Sequence, residues 1–242
     1  MSAATHPDMP YCGPPPTPAD WLGSWNLDPV LIGAFLALGI CGAWWLRGAA
    51  KARKAGFGLA AFAAAIAFIS PLCALSVALF SARTVHHLVV MAILAPALAL
   101  AFPWRRAATM PAFLGLSGAL WAWHIPQLYS AAWDYAAVYW AMQAALILPA
   151  WVFFSALFQE RSPAPILGLM TLVAQMGLLG ALLTFAPHPF YPEHLAHAPV
   201  WGLSALQDQQ LAGLIMWVPG MIPLALLAGV LAWRLLRRDQ PA

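Results

Sequence analysis

Long apolar stretches dominate this chain, running from Val30 to Leu46, from Phe57 to Ser81 and from Leu211 to Trp233. Each approaches or exceeds the roughly 20 residues that a helix needs to cross a hydrocarbon core. Lipid offers the backbone no hydrogen-bond partner, so each stretch must satisfy its own amides as a helix. The stretches are too long, and alternate too little, for the strands of a membrane barrel. Only 8% of the residues are charged, against about 25% in soluble domains. The expected fold is an all-α, polytopic membrane helix bundle. A net charge of +3 does not point to nucleic acid, because the basic residues are split among short loops and the C-terminus.

Spans are predicted at about 29–46, 57–81, 85–103, 110–124, 137–158, 165–186 and 209–236, seven in all, within a single membrane domain over residues 29–238. Before them, Pro7, Pro10, Pro14, Pro15, Pro16 and Pro18 keep residues 1–28 out of regular helix and predict an extended arm. That arm lacks a basic segment, apolar core and small-residue cleavage site, so the first span is read as its own insertion signal. Short loops rich in Arg and Lys stay in the cytoplasm. With seven spans and the N-terminus outside, Arg47, Lys51, Arg53, Lys54, Arg105, Arg106, Arg161, Arg234, Arg237 and Arg238 all fall inside, and only Arg83 falls outside. The expected location is a bacterial plasma membrane, with the C-terminus inside. Cys12, Cys41 and Cys73 form no CxxC or zinc spacing, and Cys41 and Cys73 fall within predicted spans, so no structural disulfide is expected.

This topology puts every histidine on the outer side: His6 in the arm, His86 and His87 at the mouth of span three, His124 at the end of span four, and His188, His194 and His197 before span seven. Asp134, Glu193 and Asp208 join them. His87 and Met91, four apart, share a helix face. Imidazole and thioether together suit cuprous copper, which prefers soft ligands; each is also an ordinary residue for a rim hydrogen bond or for packing. His86 lies roughly 100° round the same helix. His124 closes the aromatic stretch Trp121-Ala122-Trp123-His124, whose tryptophans suit an interfacial belt. Asp208 is expected to cap the last span. Met216 lies two turns further on roughly the same face, Gly213 permits close helix approach, and Pro219, Gly220 and Pro223 predict a kink.

Absent features narrow the function. There is no phosphate-binding Gly-rich loop and no HExxH motif. A retinal protein would need a lysine in a late span, and the only lysines are Lys51 and Lys54. A diheme cytochrome would need histidines at two depths. Three readings remain: a non-enzymatic assembly factor holding copper, a copper or small-solute permease, and an electron-transfer subunit with one haem at the outer rim. The scarcity of polar residues in the lower halves of spans two, four and six counts against the permease.

At His86-His87, at Trp123-His124-Ile125-Pro126-Gln127-Leu128-Tyr129 and at Asp208-Gln209-Gln210-Leu211-Ala212-Gly213-Leu214-Ile215-Met216-Trp217, the chain resembles the CtaG family of caa-type cytochrome c oxidase assembly factors. The resemblance runs from about Ser70 to Leu236 and is most specific in the last motif. It implies a seven-span membrane protein needed to mature haem-copper oxidases, handling Cu+ at the outer face. The implied partners are an oxidase subunit in the bilayer and a periplasmic copper chaperone. Arg83, Tyr139 and Gln143 stand where the family often carries histidine. The candidate ligands that survive are His87, His124, Asp208, Met91 and Met216, with His86 as a substitute for the histidine absent at Arg83.

Overall fold

The computed structural model describes residues 10–160 and 162–238; His6, Pro7 and Arg161 lie outside the described residues. Those residues contain helices and no strand. Helix α1 (Pro29–Trp45) begins where the Asp28 carboxylate accepts from Val30 N–H, with proline in the first turn, where a missing N–H costs nothing. It is followed by α2 (Lys51–Ile69), α3 (Pro71–Ala78), α4 (Phe80–Ala101), α5 (Thr109–Ala122), α6 (Pro126–Asp134), α7 (Ala136–Gln159) and α8 (Ala164–Thr184). Helices α9 (Ala205–Trp217) and α10 (Met221–Arg238) end the described chain.

Five helical segments are long and apolar enough to cross a membrane: α2, α4, α7, α8 and the run Ala205–Arg237 through α9 and α10. Helix α1 is apolar but shorter. Leu36, Leu38 and Ile40 of α1 and Leu226 and Leu236 of α10 point outward, an apolar surface that suits contact with lipid. Helix α9 packs on α8 and the start of α4, while α5 packs on α7 and α8, and α2 lies along the far half of α4. At the α8–α9 crossing a Cβ on Gly213 would lie 2.5 Å from the Gly180 carbonyl oxygen. The two backbones therefore touch, as the small residue at 213 predicts.

Two differences from the predicted spans matter for the site. The run expected as one span over 57–81 breaks at Ser70-Pro71, because proline pushes the residue before it out of the helical region. Ser70 is extended (ψ 169°), and its hydroxyl accepts from Leu72 N–H to start α3. A second break at extended Leu79 then starts α4 at Phe80. The run expected over 209–236 is likewise interrupted at Val218–Gly220, between α9 and α10, at the predicted kink.

The expectation of no disulfide is overturned: Cys12 and Cys73 are bonded, with Cα atoms 5.3 Å apart. Cys73 sits in the short α3, not within a span, and the arm folds back to meet it. Tyr11 stacks on Tyr139 with ring centroids 5.0 Å apart. Trp201 Nε1–H donates to the Pro16 carbonyl at 3.2 Å. The described part of the arm is thus tied down at the histidine-bearing end of the bundle.

Candidate metal-binding cavity

The α4 start is held by a residue from far along the chain. Asp208, fully buried in α9, accepts from Phe80 N–H at 2.6 Å, Ser81 N–H at 3.1 Å and Ser81 Oγ–H at 2.5 Å. Two of the otherwise unpaired amides of α4 are thereby satisfied, and the carboxylate faces the positive end of the helix dipole. The expectation that Asp208 caps its own helix is corrected. Ser204 caps α9 in a reciprocal pair with Gln207, and Asp208, one turn further on, caps α4 instead.

Helix α4, so placed, projects Arg83, Thr84, His87, Leu88 and Met91 into a cavity of about 30 Å³. The end of α5 adds Ala119, Leu120, Trp123 and His124, and α6, α7, α8 and α9 add Tyr129, Leu146, Met176 and Met216. That volume suits one or two waters or a single ion. Of the candidate ligands, His87, His124, Met91 and Met216 meet here. Met176 joins them unannounced: a methionine inside an apolar helix gives no signal of its own, and its neighbour Gln175 is the one polar mark nearby.

His124 Nδ1–H donates to the Leu120 carbonyl at 2.7 Å, which fixes the tautomer and leaves the Nε2 lone pair free. His87 Nε2 is buried without a hydrogen-bond partner, a rare state that a bound ion would relieve. Two imidazoles and the thioethers of Met91, Met176 and Met216 form a soft donor set of the kind that holds cuprous copper. Among the described residues no three His, Cys, Asp or Glu side chains gather as a metal-binding group, so thioethers would have to complete any site here.

Two candidates stand apart. His86 is buried against Phe68, ring centroids 5.5 Å apart, and neither ring nitrogen has a partner. It is not among the cavity's walls. Asp208 is absent from them too, its oxygens committed to Phe80 and Ser81.

The roof of the cavity is polar and aromatic. The Arg83 guanidinium lies 4.6 Å over the Tyr129 ring. Tyr129 O–H donates to His194 Nε2 at 2.5 Å, and His194 Nδ1–H donates to the Ala78 carbonyl at 3.3 Å. That pattern requires a neutral imidazole, and burial, with Arg83 adding to it, pushes the His194 pKa down to about 3. Tyr191 O–H donates to the His124 carbonyl at 2.9 Å, fastening the loop before α9 onto the end of α5.

Fold and cavity together define a helical membrane protein with a histidine- and methionine-lined site at one end. The sequence pattern of one family, described as cytochrome c oxidase caa3 assembly factor (Caa3_CtaG), matches residues 106–238, more than half of the chain. The chain belongs to that family of cytochrome c oxidase assembly factors. The match takes in His124, Met176, Asp208 and Met216, and Arg83, His87 and Met91 lie before it. Comparison with curated proteins and with solved structures finds no match.

Proposed function

We propose that the protein holds cuprous copper transiently in the cavity and passes it to a haem-copper oxidase subunit in the same bilayer, without catalysing a reaction. The observation that carries this reading is the convergence of His87, His124, Met91 and Met216 on one cavity, with His87 Nε2 unpartnered. Soft neutral ligands suit a monovalent soft cation, and a small site of few ligands allows exchange with a donor or an acceptor. The donor is a periplasmic copper chaperone.

The topology proposed for this role has seven spans, the N-terminus outside and the C-terminus in the cytoplasm. Its support is the distribution of Arg and Lys, joined by the Cys12–Cys73 disulfide at the histidine-bearing end. Disulfides persist in oxidising compartments, which suits an outer-facing end in a bacterial plasma membrane. The permease reading is disfavoured by the packing beneath the site, where Leu116, Phe153, Phe154, Leu157 and Leu169 form an apolar core, whereas a permeation path calls for polar residues along it. A haem-binding subunit would give Soret absorption in the purified protein.

The test is made in membranes. His87→Ala and His124→Ala are each expected to lower oxidase activity and oxidase copper while leaving this protein's abundance unchanged. Loss of the protein itself in step with activity would point to a structural role for these residues and refute the reading.

A further inference from the structure

Arg83 is a buried cation that the copper site does not use. It is 5% exposed, and its Nη1 is buried without a hydrogen-bond partner. The guanidinium carbon lies over the rings of Tyr129 and Trp133, 4.6 and 6.0 Å from their centroids. An aromatic ring attracts the charge but does not replace a hydrogen-bond acceptor, so the buried Nη1–H is left to find one.

Among the described residues no acceptor meets Arg83 Nη1. The His194 ring accepts from Tyr129 O–H and donates Nδ1–H to the Ala78 carbonyl, and His124 donates Nδ1–H to the Leu120 carbonyl. Both Asp208 oxygens are taken by Phe80 and Ser81. Glu193 accepts from Ser130 through Oε1, and its Oε2 is buried without a partner, so it does not reach Arg83 Nη1. An unpaired buried charge is far more costly than an unmade neutral hydrogen bond.

We propose that the cavity binds a small monovalent anion of the halide class on the Arg83 guanidinium edge. Arg83 and Thr84 line the cavity beside His87, so an ion there lies next to a charged donor. The volume of about 30 Å³ and the apolar walls, Leu88, Ala119, Leu120 and Leu146, exclude bulky or multivalent anions such as phosphate. The anion site does not rest on the copper reading.

The experiment uses the metal-free full chain in detergent, exchanged into gluconate. Binding of radiolabelled chloride is measured by scintillation proximity, with bromide as competitor. Saturable binding displaced by bromide is expected in the wild type, weakened roughly tenfold or more in Arg83→Gln, partly restored in Arg83→Lys and retained in Glu193→Gln. No saturable binding in the wild type, or equal binding in a folded Arg83→Gln, overturns the proposal. Chloride binding that appears only in Glu193→Gln would also overturn it, by making Glu193 the counter-charge. If Arg83→Gln does not fold, an anomalous bromide peak against Nη1 in wild-type crystals decides in favour and its absence decides against. Cuprous affinity is measured separately, so either reading can fail while the other stands.

Discussion

Replacing Asp208 with alanine separates a structural carboxylate from a ligand. The substitution leaves Phe80 N–H, Ser81 N–H and Ser81 Oγ–H without their acceptor in a fully buried place. A hydrogen bond to a charged group contributes about 1.5–3 kcal/mol, and a buried donor left unsatisfied costs about 1–3 kcal/mol. These contributions overlap at one carboxylate, and the Ser81 hydroxyl can turn to another acceptor. The expected loss is therefore about 3–5 kcal/mol, which lowers a thermal midpoint on the order of 10 °C. Asp208→Asn keeps one acceptor oxygen but turns an amide toward the backbone donors, and is expected to lose about half as much. The assay is thermal unfolding of the detergent-purified variants, followed by tryptophan fluorescence, beside His87→Ala. An Asp208→Ala protein of wild-type stability that has lost its copper would refute the reasoning and make Asp208 a ligand.

Breaking the Cys12–Cys73 bond by Cys12→Ser should lower stability by about 2–4 kcal/mol, given the 61-residue separation of the two cysteines. Limited proteolysis should then release the arm; an arm that stays protected would show that Tyr11 stacking alone holds it. His194 has a folded-state pKa near 3 against an ordinary 6.5, so the unfolded chain binds more protons between those values. Its contribution is full above about pH 6.5 and falls by roughly 1.4 kcal/mol per pH unit on acidification toward pH 3. Unfolding midpoints measured across that window should slope less in His194→Gln than in the wild type, and equal slopes would contradict the assignment. Gly213→Val should cost about 1–3 kcal/mol by forcing apart α8 and α9, which touch at Gly180, and a midpoint unchanged from wild type would contradict that contact.

The apolar stretches made the membrane class and most helices legible, since helix is the only open backbone arrangement that lipid permits. The breaks at Ser70-Pro71 and Leu79 were not legible, because Leu72 to Leu79 is as apolar as the spans beside it. The disulfide was hidden by the same unbroken apolar run, which put Cys73 inside a predicted span. Spacing four apart put His87 and Met91 on one face, and the helix stop at Pro126 put His124 at a comparable depth. Their meeting with Met216 depends on α9 packing on α4, and Met176 had nothing local to mark it. The true role of Asp208 was hidden for the same reason, since its partners Phe80 and Ser81 lie 128 and 127 residues away.

The central claim is that the cavity takes up a cuprous ion through His87 and His124, and its most direct test is cuprous affinity. Detergent-purified wild type and the His87→Ala/His124→Ala double variant would be titrated under reducing conditions against a chromogenic chelator. The account predicts near-stoichiometric copper in the wild type and its loss in a folded double variant. No copper in either protein, or equal copper in both, would contradict it.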